Sequence, residues 1–143
     1  MISINQILRK VYKSVNNKIR GPKIIIKKSR FIATIIPVST YEEIVSELQI
    51  LSKEMKKASH NAFAYRILEN NVLREDLHDD GEVPTTAGIP ILNVLRNSNL
   101  INILLVVSRY YGGINLGKGG LIRAYSQTAK DLVAHINLID FVR

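Results

Sequence analysis

The stretch "ILLVVSRYYGGINLGKGGLIRAYS", residues 103 to 126, decides the fold because it runs from an apolar strand through a glycine-rich loop into a helix. Residues 103–107 are all apolar, which predicts a strand buried on both faces in the centre of a sheet. A helix follows, and one face of it carries Leu121, Tyr125, Thr128, Ala129, Leu132 and Ile136. The loop between the two elements is the first candidate for a functional site.

The glycine loop resembles a phosphate-binding P-loop only in part. Gly112, Gly117 and Lys118 have the required spacing, but Gly119 stands where a Ser or Thr hydroxyl would bind magnesium. No later strand ends in an Asp that could be the second magnesium ligand, which argues against an NTPase. Free N–H groups at the helix start still favour an anion, and glycines allow close approach to it.

Cationic and aromatic side chains surround that loop. Arg109, Lys118 and Arg123 are candidate phosphate contacts, and Tyr110 and Tyr111 are candidate stacking surfaces for a base. The alternative is structural: the glycines form a tight connection, Arg123 pairs with an acid, and one tyrosine belongs to the core.

The rest of the chain predicts a mixed fold of the order β-β-α-β-α-β-α. Capping boxes at Ser3 and Thr40 begin helices that end near Gly21 and Ala58. Further predicted elements are strands over 24–26, 31–38 and 63–67, a loop over 69–83, and a helix starting near Thr86. We expect an α+β sandwich with an extra basic amphipathic helix over residues 1–21, the main domain covering 22–143. The alternative for the first segment is a mitochondrial presequence.

The net charge of +8 belongs to the N-terminal segment. Nine of the 20 Lys and Arg residues precede Glu42, the first acid, and the remaining 11 cations nearly balance the 12 acids. Such a block, which includes Lys27, Lys28 and Arg30, attracts phosphates through a long-range field. The alternative is a solvated tail. The longest apolar run is too short to cross a bilayer and there is no cysteine, so we expect a soluble, cytoplasmic protein without a membrane partner.

Residue types that perform catalysis or bind metals do not form known patterns. In "EDLHDDGE", residues 75–82, a calcium loop would need Glu at position 87, which is Ala. His60, His78 and His135 lack metal-ligand spacing, and a G-x-S-x-G signature is missing. We therefore predict no metal, no cofactor and no catalytic residue, and we expect a protein that is not an enzyme.

Four stretches together resemble the Impact family N-terminal domain, which bacterial YigZ proteins share with eukaryotic IMPACT. They are "KKSRFIATIIPV", "ASHNAFAYRI", "DDGEVPTTAGIPIL" and "VVSRYYGGINLGKGGLIRAYS", in family order and spacing across residues 27–130. The resemblance implies a two-layer sandwich like domain four of elongation factor G and domain 2 of ribosomal protein S5, with a left-handed βαβ crossover.

Positions typical of the family can be placed residue by residue, without an established role for any of them. Besides Arg30, Arg109, Tyr110 and Arg123 they are His60, Tyr65, Arg66, Asp79, Asp80, Gly81, Glu82, Thr86, Gly88, Gly112, Gly113, Gly117, Gly120 and Tyr125. The acidic turn "DDGE", residues 79–82, could pair with Arg109 or Arg123 and order the glycine loop.

Three functions follow as hypotheses. The first is a non-catalytic module that binds RNA or the ribosome in translation regulation, through Lys27, Lys28, Arg30, Arg109, Tyr110, Lys118 and Arg123. The second, implied by the resemblance, is an IMPACT-like module that meets an acidic protein partner and regulates the kinase sensing amino-acid starvation. The third is a small enzyme acting on a phosphorylated metabolite, which would require a pocket uniting His60, Asp79, Asp80 and Arg109.

Overall fold

The computed structural model describes residues 12–141, and its elements follow the order β-β-β-β-α-β-β-α-β-α-β along the chain. The strands are β1 Lys13–Ser14, β2 Ile19–Arg20, β3 Ile24–Ile26, β4 Ser29–Pro37, β5 His60–Glu69, β6 Val72–His78, β7 Ile103–Tyr110 and β8 Ile139–Asp140. The helices are α1 Tyr41–Glu54, α2 Gly88–Asn97 and α3 Gly117–Ala134. All three helices predicted after residue 22 are confirmed.

β7 is the central strand of a six-stranded antiparallel sheet, as its apolar run predicts. β4 and β5 flank it, β6 lies outside β5, and β2 and β3 both pair with β4. Because β4 and β5 are each antiparallel to β7, the connection from β4 through α1 to β5 joins two strands of the same direction. β1 and β8 form a separate two-stranded pair.

The two faces of the sheet bury separate apolar clusters. Alternate residues of β4 and β7, such as Phe31 and Leu105, face α2 and α3, while Ile36 and Val106 face α1. The alternation follows from the period of two in a strand. The expected α+β sandwich is confirmed, with α1 forming a further layer on the second face of the sheet.

The predicted N-terminal helix is wrong over the residues that the structure describes. Its expected end, residues 12–21, contains two short strands and no helix: Lys13–Ser14 pairs with β8, and Ile19–Arg20 pairs with β4. The sheet offers these residues ladder hydrogen bonds and burial of Val15, which outweigh a helical apolar spacing. The start of that helix, from Ser3, and the presequence alternative lie outside the described residues.

The predicted loop over residues 69–83 contains a strand. β6 pairs with β5 from Phe63↔His78 to Glu69↔Val72. Asn70 and Asn71 both have positive φ, 52° and 63°, which is the geometry of a two-residue hairpin turn. The asparagines and the acids indicated a loop, but they mark the turn and the exposed side of an edge strand.

Helix starts agree with the sequence signals. Thr40 accepts a hydrogen bond from the Glu43 N–H at 3.1 Å, as the capping box predicts. Pro90 lies in the first turn of α2, where its missing N–H has no helical partner to lose. Within residues 12–141, no helix is long and apolar enough to span a membrane.

Candidate nucleic-acid interface

The family-like stretches converge at one end of the sheet, where β4 and β5 begin and β7 ends. Register brings Arg30 opposite Tyr110 and His60 opposite Arg109. The β3–β4 turn, the acidic turn 79–87 and the glycine loop 111–116 therefore meet there. We call this the motif end.

Arg109 is the centre of the motif end, but it is buried, so its predicted phosphate contact is wrong. Its side chain is 5% exposed. The Nη1 atom donates to both carboxylate oxygens of Glu82, at 3.0 and 2.9 Å. Nε and Nη2 lie 3.3 and 3.2 Å from the Ser29 hydroxyl oxygen. The guanidinium is thus paired inside the protein, in agreement with the alternative that the acidic turn pairs with Arg109.

Glu82 is held by more than this cation. The Tyr125 hydroxyl donates to its Oε2 at 2.5 Å, and His60 Nε2 lies 3.7 Å from Oε1. Burial raises the pKa of Glu82, but the Tyr125 hydroxyl and the Arg109 guanidinium outweigh it and hold that pKa below its usual value. Burial and the adjacent carboxylate raise the pKa of Tyr125. Glu82 is therefore an anion and Tyr125 a proton donor at neutral pH.

The other acids of the turn also serve the fold. Asp79 accepts the N–H groups of Thr85, Ala87 and Gly88 at 2.8 to 3.3 Å and so caps α2. Burial raises the pKa of Asp79, but the three backbone hydrogen bonds lower it by more, so the pKa lies below its usual value. The Asp80 carboxylate accepts the Asn61 N–H, and the Asp80 backbone carbonyl lies 2.9 Å from His60 Nδ1.

These contacts decide what chemistry the motif end offers. His60, Asp79, Asp80 and Arg109 do come together, as the enzyme hypothesis required. Each is engaged with backbone groups or with Glu82, so the cluster ties the acidic turn to β5 and β7. Within residues 12–141, no three His, Asp or Glu side chains form a group that could hold a metal ion.

The glycines of the loop and of the first turn of α3 are glycine for different reasons. A Cβ on Gly112 would lie 2.1 Å from the backbone carbon and oxygen of Lys28, because the loop packs directly on the β3–β4 turn. Gly113 and Gly117 have φ of 88° and 75°, which L side chains rarely adopt. A Cβ on Gly120 would meet the Leu116 side chain at 3.1 Å. Most of the loop's glycine content is thus explained by its path.

The start of α3 is electropositive. Within the described part of the chain no side-chain hydrogen bond caps it, and its first turn holds no acid. Lys118 and Arg123 are exposed there and form no ion pair within the described part of the chain. A groove of about 410 Å³ runs beside them, lined by Ile26, Lys27, Leu116, Gly120, Arg123, Ala124, Ser126, Gln127 and Lys130. We call it the glycine-loop groove; three of its residues are cations and none is an acid.

Within residues 12–141, six cations of the basic N-terminal block divide into two sets. Lys13, Lys18 and Arg20 are in ion pairs with Asp140 and Glu54. Lys27, Lys28 and Arg30 are exposed at the motif end, on the turn between β3 and β4 and just after it. Only this second set joins the predicted phosphate contacts of α3. Lys23, Lys56, Lys57 and Lys130 are further exposed cations near this end; sequence reasoning missed the last three because their spacing along the chain does not show that they converge.

The two tyrosines differ in availability. Tyr110 is half-buried, Arg30 lies over its ring at 4.7 Å, and its hydroxyl lies 3.4 Å from Met55 Sδ. Tyr111 is 50% exposed, and the Arg109 guanidinium lies 5.3 Å from its ring centre. Tyr111, which the sequence offered alongside Tyr110, is therefore the better stacking surface.

Several family-typical residues lie away from the surface of the motif end. Tyr65 is buried against α1, and Arg66 binds Glu75 and the Leu100 carbonyl at the opposite end of β5. Tyr125 packs edge-on against Phe31 with ring centres 5.3 Å apart. The remaining positions shape the start of α2: Gly81 has φ of 77°, the Thr86 hydroxyl donates to the carbonyl of residue 83, and a Cβ on Gly88 would clash with Leu77.

Comparisons with known proteins agree with this geometry. The Impact N-terminal domain family matches residues 27–133. The IMPACT family member YvyE of Bacillus subtilis (strain 168) is 43% identical over 118 residues, covering 82% of this chain and 54% of that protein. The chain spans about half the length of the curated relatives it matches.

Two solved structures share the fold. The crystal structure of a hypothetical protein matches with a TM-score of 0.84 and 30% identity, over 92% of this chain and 64% of that one. The two-domain translational regulator Yih1 matches with a TM-score of 0.57 and 27% identity, over 84% of this chain and 47% of that one. The chain belongs to the Impact family and carries its N-terminal domain.

Proposed function

We propose that this chain is a non-catalytic module that binds RNA, free or within the ribosome, and that it acts in the regulation of translation. The observation that carries the proposal is the glycine-loop groove, where Lys27, Arg123 and Lys130 are exposed beside Lys118 at the uncapped start of α3. Unpaired cations of this kind bind a phosphate backbone by releasing its counterions. The proposal implies a cytoplasmic location, where ribosomes are.

The charge of the motif end supports an anionic ligand. Its acids have partners other than the exposed cations: the buried Glu82 pairs with Arg109, and Asp79 and Asp80 accept backbone N–H groups. None of the three forms an ion pair with an exposed Lys or Arg within residues 12–141, and the exposed cations of the motif end outnumber these acids, which favours an anionic ligand.

The link to translation comes from a relative. Yih1, whose fold this chain shares at 27% identity, is described as a two-domain translational regulator. Because this chain covers 47% of that protein, the partners of the whole regulator enter here only as part of the proposal.

The test is a titration of the chain with fluorescent single-stranded RNA, duplex RNA and purified ribosomal subunits at several salt concentrations. The variant is Lys118→Glu/Arg123→Glu. The control is Lys13→Glu/Arg74→Glu, which changes the net charge equally at two exposed cations away from the motif end. We expect micromolar or tighter binding by the wild type, its loss in the variant and its retention in the control. If the wild type does not bind at about 0.1 M salt, where a Debye length of about 10 Å leaves surface charges effective, the proposal is wrong.

A protein partner is the second candidate, favoured by apolar side chains beside the same cations. Tyr111, Ile114 and Ile122 are 50%, 41% and 42% exposed. An acidic partner with an apolar centre would match this surface, as the IMPACT-like hypothesis requires. Capture of one protein that survives nuclease treatment and is lost in Lys118→Glu/Arg123→Glu would support this candidate over RNA.

A further inference from the structure

A second basic groove lies at the motif end, on the opposite face of the sheet from the glycine-loop groove. Its volume is about 500 Å³. Arg30 and Ile32 are on the same face of β4 as Ile36, which packs under α1. The groove therefore lies beside the end of α1, and we call it the helix-end groove. Its lining comprises Lys23, Arg30, Ile32, Glu54, Lys56, Lys57 and Tyr110.

The charge of the helix-end groove is positive. Lys23, Arg30, Lys56 and Lys57 form no ion pair within residues 12–141. The acid in the lining, Glu54, binds Lys18 at 3.0 Å and Arg20 at 3.4 Å. The hydrogen bond from Lys18 is the main cause that lowers the pKa of Glu54. Glu54 is thus ionised and already paired, and the four other charges are available to a ligand.

The groove offers charge without a free aromatic face. The Arg30 guanidinium lies over the Tyr110 ring at 4.7 Å, and the Tyr110 hydroxyl is directed to Met55. This contact restrains the guanidinium, and Arg30 forms no ion pair within residues 12–141, so its charge is available to a phosphate. Recognition here would therefore be of backbone phosphates and independent of base identity.

The β3–β4 turn connects the two grooves. Lys27 lines the glycine-loop groove, and Lys28 follows it on the exposed turn, two residues before Arg30 in the helix-end groove. The line of exposed cations therefore passes around the end of the sheet from one face to the other. A duplex is too stiff to follow such a path over a few base pairs, whereas a single strand can bend.

We propose that the helix-end groove is a second phosphate-binding face, and that one single-stranded RNA backbone crosses the Lys27–Lys28 turn to occupy both grooves. This inference rests on the proposed function and specifies its ligand: single-stranded RNA, held through its phosphates on two faces.

The experiment measures the affinity of the chain for a fluorescent oligouridylate of about 12 nucleotides, a length within the site sizes of single-strand-binding domains. Affinities at several salt concentrations give the slope of log K against log salt. The variant is Lys56→Ala/Lys57→Ala, and the control is Lys13→Ala/Arg74→Ala, with the same change of net charge. Each lost phosphate contact lowers the magnitude of this slope by about 0.7 for a single strand. We therefore expect the slope of the variant to be smaller by up to about 1.4, and the slope of the control to be unchanged. Duplex RNA of the same length should bind variant and control alike.

The outcomes separate this inference from the proposed function. If the wild type does not bind the oligonucleotide, the proposed function fails and this inference with it. If Lys118→Glu/Arg123→Glu abolishes binding while Lys56→Ala/Lys57→Ala equals its control, the proposed function stands and the second face is refuted. Equal losses on duplex and single strand would refute the bent path. A fall in melting temperature with unchanged RNA affinity would show that Lys56 and Lys57 only stabilise the end of α1.

Discussion

Replacing Arg109 by Met should destabilise the protein strongly, because it leaves the Glu82 carboxylate buried without its cation. Glu82 is 3% exposed, and it would keep the Tyr125 hydroxyl, the Val83 N–H and the more distant His60 ring, none of which is a permanent cation. Removing one member of a buried ion pair costs about 3–5 kcal/mol. The Tyr125 hydrogen bond remains, so we expect the lower end of that range, about 3 kcal/mol at pH 7.

The pH dependence gives this prediction its sharpest test. In the wild type the folded-state pKa of Glu82 is lowered, so the pair stabilises the fold above the ordinary carboxyl pKa, and that contribution is lost as the pH falls through the lowered value. In Arg109→Met, burial is unopposed by the guanidinium and raises that pKa. Protonation then relieves the buried charge as the pH falls. The stability difference between the two proteins should therefore be largest near pH 7 and shrink toward pH 5.

Urea unfolding followed by circular dichroism measures both effects. With a slope of about 2 kcal/mol per molar urea, a loss of 3 kcal/mol lowers the midpoint by about 1.5 M. The control is Arg74→Met, which removes a 48% exposed guanidinium from its contact with Glu69 and should cost less than about 1 kcal/mol. A loss of that small size in Arg109→Met, or an equal loss at pH 7 and pH 5, would refute the assignment of Arg109 to a buried pair.

The remaining predictions concern the turns that hold the motif end together. Gly112→Ala should lower the free energy of unfolding in urea by about 3 kcal/mol, because its Cβ would overlap the Lys28 backbone. In the control Gly119→Ala the Cβ meets only the flexible Arg123 side chain, so the free energy of unfolding should be unchanged or rise by up to about 1 kcal/mol. Equal losses in the two variants would contradict this explanation of the loop. Asp79→Ala should cost about 1–2 kcal/mol through the lost cap of α2. Because the folded-state pKa of Asp79 is lowered, its contribution should disappear in acid; a constant cost down to pH 2 would contradict the capping role.

Local patterns predicted the elements that depend on local physics. The apolar run of β7 identified the central strand, because a strand buried on both faces has no polar alternation. The capping box at Thr40 located the start of α1 to the residue. Glycines in the loop before α3 indicated close packing, and Gly112 shows it against Lys28.

Predictions failed where a distant partner decides the conformation. The helical spacing of Val11 and Val15 could not show that β8, more than 120 residues later, pairs with Lys13–Ser14. β6 was predicted as a loop because it is an exposed edge strand, in which the alternation of apolar and polar residues is weak. Arg109 looked like a ligand contact because charge alone does not reveal burial; its partner Glu82 is 27 residues away.

The contacts of the acidic turn explain how the motif end can contain three acids and still have unpaired cations on its surface. Within residues 12–141, Glu82, Asp79 and Asp80 form no ion pair with the exposed lysines and arginines of this end. The fold gives each carboxylate another partner: a buried guanidinium for Glu82, and backbone N–H groups for Asp79 and Asp80. The exposed lysines and arginines then keep their charge for an external anion. In the proposed function, the buried pair of Arg109 and Glu82 acts on binding indirectly, because it fixes the Glu82 carboxylate to β7 and keeps it from pairing with the exposed cations.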